Sequence, residues 1–186
     1  MTVSGFVRGM GEFDRRVRAV GPQQWHDPTP CTGWDVRALV NHVVTEQRWA
    51  PLLLDGATVE DIGDRFDGDQ LGDDPVGVWA SAAAAAHEAF AAPGALRRSV
   101  ELSYGRRPAE GYCAEMTMDL TVHAWDLARG IKADERLDPE LVSDVLEFIE
   151  PQAEQLVGSG LFAPPVRVSH DADPQTRLLA LVGRRR

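Results

Sequence analysis

Asp119 and His123 are the residues whose types and spacing could do chemistry together. They stand four apart in a stretch, Met116 to Arg129, that reads as helix, and positions i and i+4 point the same way. A carboxylate and an imidazole on one face can grip a divalent metal ion, or they can hydrogen-bond each other. His42, far upstream on a second helix-like segment, offers a third ligand. Two histidines and a carboxylate from two helices would leave coordination positions open, as a reactive centre needs. Asp126, three residues beyond His123, could accept from the other imidazole nitrogen and orient the ring. The alternatives are an alternate metal ligand, a helix cap or a pair with Arg129. Glu46, one turn beyond His42, reads first as a salt-bridged structural carboxylate, with a catalytic general base or an orienting group as the functional alternative.

Nearby residues have both chemical and packing readings. Cys31 sits just before a helix start, where a thiol pKa can fall, but nothing in the sequence pairs it with a base. Tyr112 fits a pocket wall or the core. Trp34, Trp49 and Trp125 read most simply as core aromatics.

These groups need helices to position them. Phe6, Met10, Phe13, Val17 and Val20 recur at spacings of three and four, an amphipathic helix stopped by Gly21 and Pro22. Pro22, Pro28 and Pro30 mark a loop. A second helix is expected from near Thr32, with Thr32 and Asp35 resembling a capping box. Val36, Leu39, Val40, Val43 and Val44 form its apolar side, and Arg37, Asn41, Thr45 and Arg48 its polar side. His42 and Glu46 fall within or beside the apolar sector, so they need partners inside the protein. Pro51 is expected to end or kink this helix.

The Asp- and Gly-rich stretch 55–74 reads as an acidic surface loop. It fails as a calcium loop, because Leu71 and Val78 occupy positions that need acidic ligands. Asp74 and Pro75 start an alanine-rich helix, which Pro93 and Gly94 end. His87, inside it, reads as a surface residue or one that supports a site from behind. Leu96 to Leu102 carries a weak extended signal, with a turn marked by Tyr104, Gly105 and Pro108. A long helix follows from Ala109, apolar on two sides and hence central, with Gly130 closing it. Asp138 and Pro139 open another helix to about Leu156. The remainder is expected to be mostly irregular, with a short helix or strand at its end. The expected fold is an all-α bundle. Residues 1–157 would form its metal-binding domain, and 158–186 a C-terminal tail packed on or extending from it.

The 186 residues are 44% hydrophobic and 26% charged, enough apolar material for one core. The formal net charge of −10 argues against nucleic-acid or anionic-membrane partners. Arg184 to Arg186 read as a solvated tail. Two cysteines, Cys31 and Cys113, are too few for a disulfide framework, although one bond between them is compatible with the sequence. There is no secretory signal pattern and no run near the roughly 20 apolar residues of a membrane span. The expected compartment is the cytoplasm.

Two segments carry a resemblance. Residues 30–42, Pro-Cys-Thr-Gly-Trp-Asp-Val-Arg-Ala-Leu-Val-Asn-His, and 119–126, Asp-Leu-Thr-Val-His-Ala-Trp-Asp, resemble the metal-binding motifs of DinB-like proteins. The match is closer to the actinobacterial branch that includes mycothiol-dependent maleylpyruvate isomerase. It extends over most of the chain, including Leu71-Gly-Asp-Asp-Pro75, Phe162-Ala-Pro-Pro165 and residues 173–181. The resemblance implies a four-helix bundle with a divalent metal at one end. His42 takes the role of the family's helix-two histidine. Asp119 and His123 take those of a Glu-x-x-x-His pair. Asp119 stands where the isomerase has Glu and is one methylene shorter, so an ion would sit nearer the backbone or the helix would shift. Imidazoles with a carboxylate suit zinc, with iron or nickel as alternatives. The chain is expected to be too short for the isomerase's full C-terminal domain. The activity implied is therefore metal-dependent chemistry of a mycothiol-type thiol with a small electrophile, as transferase or isomerase-like enzyme. The alternative is a non-catalytic bundle that binds metal or a small ligand. A homodimer is compatible with either.

Overall fold

The computed structural model describes residues 2–153, 162–169 and 171–186. Four helices form the bundle: α1 (Val3–Val17), α2 (Val36–Leu54), α4 (Pro75–Ala91) and α5 (Ala109–Gly130), with the single-turn helix α3 (Val59–Ile62) between α2 and α4. Each long helix touches two others, in the ring order α1, α4, α2, α5. The helix α6 (Pro139–Ile149) packs on α5 and α1, and a final helix, Pro174–Leu181, packs on α6. The all-α expectation holds.

Periodicity explains the core. Phe6, Phe13 and Val17 of α1 are fully buried, as are Leu39, Val40, Val43 and Val44 of α2. Phe6 meets Phe90 edge to face at 4.9 Å, and Phe13 lies against Trp79 at 4.8 Å, so aromatic packing joins α1 to α4. Helix α5 is covered on nearly all sides. Its buried Thr117 and Thr121 hydroxyls donate to the Cys113 and Thr117 carbonyls at 2.7 Å each. Those bonds pair both threonine hydroxyls within the core.

Several local expectations change. The cap of α2 is Asp35, whose carboxylate accepts from the Ala38 N–H at 2.8 Å. Thr32 lies outside, because Gly33 adopts φ +81° and breaks any helix begun there. Pro51 does not end α2, which continues to Leu54. Gly130 is not the left-handed stop of α5; Lys132 is, at φ 59°. Gly130 instead permits close approach, since a Cβ there would meet Thr29 and Val36 side-chain carbons at 3.3 Å.

The acidic stretch contains α3, with Thr58 and Asp61 forming a capping box. It is fastened to the polar side of α2 by Arg37 to Asp69 and by Asn41 to the Gly68 carbonyl, with Leu71 fully buried beneath. The weak extended signal resolves into a hairpin, β1 (Ser99–Leu102) and β2 (Gly105–Pro108), antiparallel with Leu102 opposite Gly105. Asp138 caps α6, as its sequence predicts. The helix expected to run to about Leu156 gives way after Ile149 to a 3-10 turn, Glu150–Gln152, that contains Pro151; position 156 and the boundary after residue 157 lie outside the described residues. Gln175 of the final helix clasps the α5–α6 connection, accepting from the Leu137 N–H at 3.0 Å and donating to the Glu135 carbonyl at 2.8 Å.

Candidate metal centre

Helices α2 and α5 bring His42, Asp119 and His123 together. Asp119 Oδ1 lies 3.6 Å from His42 Nε2 and 3.3 Å from His123 Nε2. The imidazole rings meet at 5.1 Å and 78°, and the three donor atoms lie within 4.8 Å of one another. Ligands about 2.0–2.1 Å from a tetrahedral ion stand roughly 3.3 Å apart. The two carboxylate–imidazole separations fit that spacing without rearrangement. The shorter side chain of Asp119 still reaches both rings.

A second observation points the same way. Asp119 Oδ2 is buried without a hydrogen-bond partner among the described residues, a costly state for a carboxylate oxygen unless a cation or ligand meets it. The residues present therefore fit a divalent ion bound by two nitrogens and one carboxylate.

The electrostatics are those of a tightly coupled cluster. Burial opposes ionisation of Asp119, but the charge and hydrogen bonds of His123 and His42 outweigh it and hold the carboxyl well below the usual range. Burial likewise disfavours a charged His123, yet Asp119 and Asp126 overcome it and hold the imidazolium well above its ordinary value. Glu46 behaves oppositely: burial raises it and Asp119 raises it further, with His42 and His123 offsetting only part.

Behind His123 lies a group that sequence spacing only half revealed. Asp126 is fully buried, and its Oδ2 sits 3.0 Å from His123 Nδ1. The same oxygen receives Arg184 Nη2 at 2.8 Å and the Cys31 thiol at 3.2 Å. Arg184 is thus not part of a solvated tail; its side chain is only 11% exposed. Asp126 does not pair with Arg129, which binds Glu135 and stacks on Trp125 at 4.5 Å. Cys31, His123 and Asp126 form a second donor cluster by proximity, but the Arg184 guanidinium already supplies its positive charge. Both cysteines are free. Cys113 is core, its thiol pushed up to about 11 by burial.

The triad opens onto a cavity of about 1120 Å³. Cys31, Glu46, Tyr112, Glu115 and Arg184 reach its wall, with Trp34, Trp49, Phe148 and Phe162 as apolar lining. Trp34 and Trp49 are therefore cavity aromatics. Trp34 lies 4.9 Å from the His42 ring. The Tyr112 hydroxyl is buried and unpartnered among the described residues, and Tyr104 at the hairpin tip donates to Glu115. Glu46 makes no hydrogen bond among the described residues. His87, half-buried on α4, is absent from this lining. Sequence reasoning missed Arg184 altogether. Its only signal was a basic residue close behind an apolar helix, and nothing there indicated a partner nearly 60 positions away.

Comparison with known proteins adds family and relatives. The family described as mycothiol maleylpyruvate isomerase N-terminal domain matches residues 6–128, which include every residue of the triad but not Arg184. Two uncharacterized proteins of Mycobacterium tuberculosis, from two strains, are each 33% identical over 183 residues, covering 95% of this chain and 94% of the relative. No solved structure matches the chain.

Proposed function

The chain belongs to the mycothiol maleylpyruvate isomerase N-terminal domain family, and from that premise we propose that it binds one divalent metal ion and uses a mycothiol-type thiol against a small electrophile, as a transferase or isomerase-like enzyme. His42, Asp119 and His123 would hold the ion, with zinc the best match to two imidazoles and a carboxylate, and iron or nickel the alternatives. The observation that carries this proposal is the meeting of three donors at ligand spacing, one of them from a carboxylate whose other oxygen is buried and unpartnered among the described residues, at the wall of a large cavity. When bound, such an ion would keep a coordinated thiol as thiolate near neutral pH.

The protein's own side chains supply the rest. Asp126 holds the Nδ1 side of His123, leaving Nε2 toward Asp119 and His42. Glu46, its carboxyl raised by burial and by Asp119, is a stronger base than an ordinary carboxylate and is suited to take a thiol or substrate proton. The aromatic side chains give the cavity apolar walls, and its volume is ample for a small thiol conjugate and a second reactant.

The test is metal analysis of protein purified without added metal, then incubation with mycothiol and simple electrophiles followed by mass spectrometry. About one equivalent of metal is expected, lost in His42→Ala and His123→Ala. Glu46→Gln should keep the metal and slow adduct formation by about 100-fold. Metal content unchanged by both histidine substitutions would remove the proposed centre. Full metal content without turnover of any thiol would leave a binding protein in place of an enzyme.

A further inference from the structure

We propose that Arg184 is a positioning residue of the metal centre, acting through Asp126 on the orientation of His123. The inference rests on the metal reading above. It goes beyond it by assigning a role to a residue outside the segment that the family matches.

The geometry forms a continuous chain. Arg184 grips the Asp126 carboxylate with two prongs, Nε to Oδ1 at 3.2 Å and Nη2 to Oδ2 at 2.8 Å. That Oδ2 faces His123 Nδ1 at 3.0 Å, while His123 Nε2 faces Asp119 at 3.3 Å. A two-pronged guanidinium fixes the plane of the carboxylate as well as its distance. The plane of the carboxylate in turn fixes the imidazole, which has Asp126 on one nitrogen and the metal-facing side on the other. Without Arg184, Asp126 Oδ1 loses this partner, and the carboxylate can turn about its side-chain torsion and carry the ring with it.

Arg184 is itself held in place. Its Nη1 donates to the Val182 carbonyl at 2.8 Å, and its guanidinium lies over the Phe162 ring at 5.6 Å. The next residue is clipped as well, with Arg129 Nη1 donating to the Arg185 carbonyl at 2.7 Å. A buried ion pair serving stability alone would not need its carboxylate oxygen shared with a site imidazole. Here Oδ2 accepts from Arg184, His123 and Cys31 together.

The experiment uses the full chain loaded with cobalt(II) in place of the native metal. Cobalt affinity is measured by competition with a chromophoric chelator, and the visible absorption band reports ligand geometry. Arg184→Ala should weaken binding about 10–100-fold, the range seen when groups supporting a ligand histidine are lost, and should shift the band. Arg184→Lys keeps the charge, is the safer variant for folding, and loses the fork. It should shift the band in the same direction by less. Asp126→Asn combined with Arg184→Ala should be no worse than Asp126→Asn alone, because Arg184 acts through Asp126. If the wild-type chain takes up no cobalt, the metal reading fails and this inference with it. If it does, and both Arg184 variants match it in affinity and spectrum, only the role of Arg184 is overturned. Additive losses in the double variant would also overturn it.

Discussion

At the scale of residues, the centre is a set of charges that hold one another in unusual protonation states. In the metal-free protein His123 titrates above its unfolded value of about 6.5. The stability it contributes as imidazolium is fully present below that value and is lost as pH rises through the folded one. Asp119 is held low, so its contribution is present above about 3.9 and lost as pH falls toward its depressed value. A metal ion must displace the His123 proton, so metal affinity should fall on acidification, starting above pH 6.5 and by about tenfold per pH unit. Competition titrations between pH 6 and 8 check this. An affinity flat across that range would exclude His123 as a ligand.

At the scale of elements, the site depends on where α2 begins and how closely the loop before it meets α5. Asp35 sets the start of α2 through its bond to Ala38, and His26 Nδ1 lies 3.0 Å from the same carboxylate. Asp35→Ala should cost about 1 kcal/mol in denaturant unfolding, whereas Thr32→Ala should cost less than about 0.5 kcal/mol. The reverse order would restore Thr32 as the cap. At the other end of the contact, Gly130 lets the 28–31 loop lie against α5 and bring Cys31 to Asp126. The hairpin has a comparable role, since its tip delivers Tyr104 to Glu115 on α5 at the cavity wall.

At the scale of the whole molecule, the centre ties together parts of the chain that are remote in sequence. His42 comes from α2, the Asp119 pair from α5, and Arg184 from the segment after the final helix. Among the described residues no helix is long and apolar enough to cross a membrane. The net charge of −10 favours the approach of a cation, an attraction that added salt weakens. A ligand bound only by the folded state stabilises it by about 2.7 kcal/mol at a hundredfold excess over Kd. Chelation should therefore lower the melting temperature by roughly 5–10 °C for a chain of this size. His123→Ala protein should show no chelator-dependent shift, and a wild-type melting curve indifferent to chelator would count against a bound ion.

The sequence by itself determined the four long helices of the bundle and the start of α6, and the direction of the inward residues. The 3.6-residue period put His42 and Glu46 beside the apolar sector of α2. The i, i+4 spacing put Asp119 and His123 on one face of a helix that is apolar on both sides. These are local properties, set by backbone geometry and by the burial of nonpolar faces. Tertiary structure alone decided which groups meet. The fold placed Arg184 against Asp126, moved Trp34 and Trp49 from core to cavity wall, made Asp35 the cap, and turned Gly130 from a helix stop into a contact point. Each depends on the distance between segments far apart in the chain, and no residue pattern encodes that distance until the core has packed.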